Sequence, residues 1–283
     1  LKTMRYLEEE EGIRVTYLPV DSKGRIKLEA LKEALCPETI LVSIMYVNNE
    51  VGTVQPVQEA ARLVKQYKPS ILFHTDAVQG YGKYRIYPKR MGIDLLTASG
   101  HKIHGPKGIG FLYIDSRVKI RPIVFGGEQQ KNIRSGTENV PGIAGLGLAS
   151  KMIYQDLEMK TALMRELKSR FIEGISKIEN TTIHGFADEG SAPHIISVGV
   201  AGVRSEVLLH TLEDKGIYVS SGSACSSNHP SVSGVLKGIG AAREYLDATL
   251  RFSMSEFTTK EEIDYTLETL YNCIPMLRRY TRH

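Results

Sequence analysis

Residues 39–76 read TILVSIMYVNNEVGTVQPVQEAARLVKQYKPSILFHTD, and this stretch decides the fold. Its two ends, 39–46 and 71–76, are short apolar runs rich in β-branched residues, the pattern of strands buried in a sheet. Between them Pro56 can sit in the first turn of a helix that runs to about Tyr67 with Val57, Ala60, Ala61 and Val64 on one face. Strand, helix and strand of these lengths make a βαβ unit, whose strands lie parallel. Working outward, further strands are expected at 94–98 and 109–114, separated by a polar, Gly-rich loop with too few apolar residues for core. From about Pro141 the texture becomes one long helical stretch reaching Ile178, and a domain boundary is expected inside it. Strand patterns at 195–200, 216–220 and 248–253 then alternate with helices, the last opening at a capping pattern, Thr259 with Glu262 three residues on. The expected architecture is α/β. A large domain, 1–155, holds a mostly parallel sheet flanked by helices, and a smaller α+β domain, 156–283, follows.

Composition narrows the function classes. Of 283 residues, 42% are hydrophobic and 24% charged, a globular balance that excludes disordered, collagen-like and coiled-coil chains. No apolar run approaches the roughly 18 residues of a membrane helix. The net charge of +4 is spread along the chain, which gives nucleic-acid binding no support. Cys36, Cys225 and Cys273 are too few and too far apart for a disulfide framework or a CxxC metal site. No metal is expected, and a reducing compartment, the cytoplasm, is the natural location. The first residues, LKTMRYLEEEEGI, lack the marks of a signal peptide and read as the middle of an amphipathic helix, so part of the large domain is expected ahead of Leu1.

The chemistry concentrates in SGHKIHGPKG, 99–108, directly after a strand. An exposed turn explains such a loop, but loops at strand C-termini are where open α/β sheets put their ligands. A lysine there can form a Schiff base if its neighbours keep it partly deprotonated. The strand at 71–76 ends in Asp76, with Gln79 three residues on. Lys102 and Asp76 together suggest pyridoxal phosphate, which needs a lysine for attachment and a carboxylate to keep its ring nitrogen charged. Cys225 stands among small and hydroxylated residues, SGSACSSNHP, which suits either a surface thiol or a nucleophile on an exposed loop. Cys36 and Cys273 read as partly buried structural residues, and His104 and His229 as loop histidines without a role.

Six segments, VNNEVG (47–52), HTDAVQ (74–79), SGHKIHGPKGIG (99–110), RSGTENV (134–140), SSGSACS (220–226) and RFS (251–253), resemble the cysteine desulfurases, in the family's order and across nearly the whole chain. SSGSAC resembles the NifS/IscS-type group in particular. The resemblance implies the fold type I pyridoxal-phosphate architecture and conversion of L-cysteine to alanine with an enzyme persulfide. It implies that Lys102 carries the cofactor and later moves protons, that Asp76 pairs with the pyridinium nitrogen and that Gln79 bonds the phenolic oxygen. Ser99 and His101 match phosphate-binding positions, and Asn49 lies near cofactor and substrate. Thr137 matches a residue contributed to the neighbouring subunit's phosphate site, which implies a homodimer. Arg251 would grip the substrate carboxylate in a bidentate fork, and Cys225 would take the sulfur and pass it to an iron–sulfur scaffold or a tRNA-thiolation enzyme. The family also carries, ahead of the position matching Leu1, a phosphate-binding helix start and a ring-stacking His that match no residue of this chain. A fragment, half of a split enzyme and a non-catalytic adaptor all fit that difference, and a class V aminotransferase or selenocysteine lyase is the alternative chemistry.

Overall fold

The computed structural model describes residues 2–221 and 232–280. The chain opens with α1 (Lys2–Glu9), which buries none of its residues, and α2 (Leu28–Ala34), anchored by Leu31. The βαβ unit follows as β1 (Leu41–Met45), α3 (Val57–Tyr67) and β2 (Leu72–Asp76), and the two strands pair in parallel. Pro56 stands just ahead of α3 as its N-cap, and the buried face of α3 is Val57, Ala60, Ala61 and Val64, the spacing of one side of a helix. After α4 (Pro88–Met91), β3 (Leu95–Ser99) joins β2 in parallel and β4 (Gly110–Ile114) returns antiparallel, so the sheet order is β1-β2-β3-β4. Buried Asp94 secures its centre by accepting from the Phe73 amide at 2.7 Å and from Lys65 Nζ at 2.5 Å. That pairing meets the rule that a buried charge needs partners.

A single turn, α5 (Gln129–Asn132), has positive φ at its last three residues and leads to α6 (Val140–Tyr154) and α7 (Leu157–Ile175). The one long helix expected from the sequence is therefore two. The break falls at Gln155–Asp156, where Asp156 takes a left-handed φ of 54° that no α-helix accommodates. The second sheet, order β5-β6-β8-β7, is antiparallel throughout and consists of β5 (Thr181–His184), β6 (Ile195–Val200), β7 (Ser220–Ser221) and β8 (Thr249–Ser253). Every residue of β6 is buried. α7 packs with α8 (Ser205–Glu213) and α10 (Lys260–Arg278) around this sheet, with Phe171 against Phe252 at 4.7 Å between ring centroids. The capping box expected at Thr259 and Glu262 starts α10. The strand expected over 216–220 shrinks to the two residues of β7, because Ile217 and Val219 pack on the core while only Ser220 and Ser221 pair with β8.

Two cores result, one under the parallel sheet and one under the antiparallel sheet. The segment after β1 stitches them together. Thr53 bridges Ser191, Gly52 O accepts from the Ala192 amide, and Val47 packs on Ala192 and Ile195. Val51 reaches Leu236 of α9 (Gly234–Gly238).

Candidate active site

The C-terminal ends of β2 and β3 point to the seam between the two sheets. There the chain leaves β2 at Asp76, whose Oδ1 accepts from the Val78 amide at 2.9 Å and fixes the turn toward Gln79. β3 ends at Ser99, and Lys102 stands on the 3-10 turn Gly100–Ile103 that follows. Ile103 nails this turn down by burying itself against Leu146 and Ile153. Gly100 N donates to Ile109 O and Gly105 N to Gly100 O, closing the loop. Gly82 passes beneath with a φ of 77°, and a Cβ there would stand 2.6 Å from Ile103. Only glycine fits both constraints.

Asn48 shapes the opposite wall. Its Oδ1 accepts from the amides of Glu50 and Val51 at 2.9 and 3.0 Å, an Asx turn that presents the Asn49 carbonyl to Arg251 Nη1 at 2.9 Å. Glu50 lies beside Arg251 and accepts from Ser233, the N-cap of α9; burial raises its carboxyl above the usual range. Arg251 sits on β8 opposite Ser197 and Ser220.

These walls enclose a cavity of about 150 Å³ lined by Asn49, Gln79, His101, Lys102 and Arg251 among others. Asp76 and Ser99 end the neighbouring strands, and Thr137 lies exposed in the loop before α6, away from the cavity. Cys225 falls outside the described residues. Cys36 is half-buried and Cys273 buried, as expected.

Three further titratable residues line the cavity that sequence reasoning left out: Lys83, His104 and His194. Lys83 is buried, which pushes its ammonium below the ordinary range, with nearby Glu256 opposing the shift. His104 was expected to be a loop histidine without a role, yet its Nε2 meets Glu256 Oε2 at 3.2 Å across the seam. His194 sits just before β6, a position with no local signal; only the tertiary fold carries it to Gln79, whose Oε1 is 3.2 Å from its Nε2. Burial first, then the cations Lys83, Lys168, Lys102 and Arg251, hold the His194 ring well below its usual pKa.

The cavity is thus cationic, with Lys83, Lys102 and Arg251 on its lining. Arg251 Nε and His194 Nδ1 are buried without a hydrogen-bond partner among the described residues. A buried polar atom left so costs about 1–3 kcal/mol, and the orphaned guanidinium donor of Arg251 marks this as a place for an anionic ligand. Pyridoxal phosphate fits the donor set: an amine on Lys102, a strand-end carboxylate on Asp76, an amide on Gln79 and a cationic rim.

Comparison with known proteins agrees. The aminotransferase class-V family model matches residues 1–266. The "Cysteine desulfurase IscS" of Methanosarcina thermophila is 42% identical over 278 residues, which cover 98% of this chain and 68% of the relative. The "Cysteine desulfurase, mitochondrial" of Eremothecium gossypii is 42% identical over 272 residues, 95% of this chain and 54% of that protein. A solved structure titled "NIFS-LIKE PROTEIN" superposes with a TM-score of 0.90 at 38% identity, covering 98% of this chain and 72% of that one. An α/β fold of this kind, a family match over most of its length and relatives of one name together establish that the chain belongs to the class-V aminotransferases of pyridoxal-phosphate fold type I, among the IscS- and NifS-like cysteine desulfurases.

Proposed function

We propose that this chain acts as a cysteine desulfurase with pyridoxal 5'-phosphate as cofactor, turning L-cysteine into L-alanine and an enzyme persulfide. The observation that carries the reading is the convergence of Lys102, Gln79, Asn49 and Arg251 on one cationic cavity beside the strand end that bears Asp76. When bound, pyridoxal phosphate supplies an electron sink that stabilises the pair left behind when a proton leaves the substrate α-carbon. Lys102 Nζ would hold the cofactor, take the substrate's α-proton and return a proton to the product. The Asp76 carboxylate holds the proton on the ring nitrogen, and Ser99 and His101 bind the phosphate. Arg251 binds the substrate carboxylate; its bond to the Asn49 carbonyl fixes the guanidinium in advance.

The Cys225 thiolate attacks the substrate sulfur. A sulfur–sulfur bond forms as the carbon–sulfur bond breaks, and the carbon left behind is protonated to alanine. Only the thiolate is competent for this step. Cys225 separates the desulfurase from a transaminating relative, which has no use for a loop nucleophile.

A homodimer belongs to the same reading. α6 is apolar on its exposed side, with Val140, Ile143, Leu148 and Met152 uncovered, and Ile123 and Phe125, in the segment between β4 and α5, are 90% and 80% exposed. A helix apolar all round asks for cover, and a second copy bringing Thr137 to the neighbouring phosphate site supplies it. The domain division at 155/156, the sulfur acceptor, an iron–sulfur scaffold or a tRNA-thiolation enzyme, and a cytoplasmic location are further parts of the proposal. No described helix is long and apolar enough to cross a membrane.

The test is incubation of the cofactor-loaded protein with L-cysteine, following alanine and Cys225 persulfide. Without reductant, alanine and Cys225 persulfide are expected in equal amounts; with a thiol reductant, which splits the persulfide, alanine and sulfide are expected to match, and all are lost in Lys102→Ala. Cys225→Ala at full activity would sink the desulfurase reading. A protein that takes up no pyridoxal phosphate would favour an adaptor.

A further inference from the structure

His194 is more than 90% buried, and its backbone is held on two sides. Its carbonyl accepts from the Met254 amide at 3.0 Å, while Lys168 Nζ binds Ser191 Oγ, Ala192 O and Ile195 O at 2.8–2.9 Å around it. The ring therefore has little freedom. Its Nε2 faces Gln79 Oε1, an oxygen that can only accept, and its Nδ1 meets no partner among the described residues. Gln79 in turn lines the cavity, and its Nε2 has no hydrogen bond to any described residue.

We infer that His194 is a positioning residue: its Nε2–H donates to Gln79 Oε1 and thereby locks the carboxamide with its NH2 group turned into the cavity. An unheld glutamine amide can rotate by 180° and present oxygen or nitrogen alike. With Oε1 captured, the side chain offers donors only, and the cavity at that point accepts an anionic or lone-pair oxygen and rejects a donor. The inference rests on the cofactor reading in one respect, that the acceptor is the phenolic oxygen of pyridoxal phosphate. Burial first, and then the neighbouring basic groups Lys83, Lys168, Lys102 and Arg251, lower the pKa of the imidazole, and in the Nε2–H tautomer Nδ1 is a bare acceptor.

Two measurements test this. Nitrogen-15 NMR of the histidines, with the His194 signal assigned by its loss in His194→Gln, reads the tautomer before cofactor is added. An Nε2–H neutral ring is expected; an Nδ1–H tautomer, or an imidazolium at neutral pH, overturns the inference whatever the cofactor does. The second is a pH titration of the bound cofactor's visible band. Losing one oriented donor to an anionic oxygen should raise its midpoint in His194→Phe by about half to one pH unit, and His194→Gln, which keeps an N–H of similar reach, should restore most of it. In a Gln79→Ala background His194→Phe should add nothing; an undiminished shift there overturns action through Gln79. If His194→Phe does not fold, His194→Asn, whose amide is too short to reach Oε1, takes its place. Failure of the unmodified protein to bind pyridoxal phosphate would refute the cofactor reading alone, and the tautomer would still decide the orientation.

Discussion

Lys168→Met isolates a buried amine that forms no ion pair with a carboxylate among the described residues. Lys168 is 4% exposed on α7, and its Nζ holds one hydroxyl and two backbone carbonyls of residues 191–195. Methionine fills similar volume but leaves these acceptors unpaired, at about 1 kcal/mol each, or about 3 kcal/mol in all. The pH dependence is more diagnostic. Burial, with Arg165 adding and Asp188 opposing, pushes the Lys168 pKa down from 10.5 to about 7. Between those values the unfolded chain carries a proton that the folded chain lacks, so stability rises with pH across this window and falls to its floor below it. At about 1.36 kcal/mol per unit, half-titration near pH 7 leaves a gain of about 2 kcal/mol between pH 7 and pH 9 in the unmodified protein. The methionine variant has no such gain, so its deficit should widen by about that amount over the same range. Urea unfolding of both proteins at several pH values measures it. A deficit constant with pH would refute the argument, because it would mean that Lys168 titrates alike in both states.

Gly82→Ala should act at a distance from any reacting atom. The added methyl, on a backbone with positive φ and 2.6 Å from Ile103 Cγ2, should cost about 1–3 kcal/mol and displace the turn bearing Lys102; a lower melting temperature without weaker pyridoxal-phosphate binding in equilibrium dialysis would contradict the second half. His184, bonded to Thr249 Oγ1 at 3.1 Å, is pushed down to about 4 by burial, so protons favour the unfolded chain between pH 6.5 and 4. Stability should fall as pH drops through that window, and His184→Gln should flatten the urea midpoint there.

The parallel sheet was legible because its strands are short apolar, β-branched runs and α3 follows a period of 3.6, both of which a linear reading detects. The break at Gln155–Asp156 was not, since nothing in the composition of 141–178 distinguishes a left-handed Asp156 from a helical one. β5 was missed for a related reason: Thr181–His184 is short and mixed in polarity, and it becomes a strand only by pairing with β6. Of the residues that line the cavity, Gln79 and Lys102 were legible because they lie just after strand ends, which are recognisable. Lys83 and His194 owe their place to burial and to contacts 115 residues apart along the chain, such as that between His194 and Gln79. No local pattern encodes such a meeting.

Arg251 is moored to the peptide oxygen of residue 49 and not to its side chain. A main-chain anchor is blind to sequence. The side chain at position 49 can therefore change without unmooring the guanidinium, which stays where the Asx turn at Asn48 puts it. The cavity-facing side chain and the anchoring carbonyl are separate atoms of one residue, so the wall's chemistry and the placement of Arg251 can vary independently.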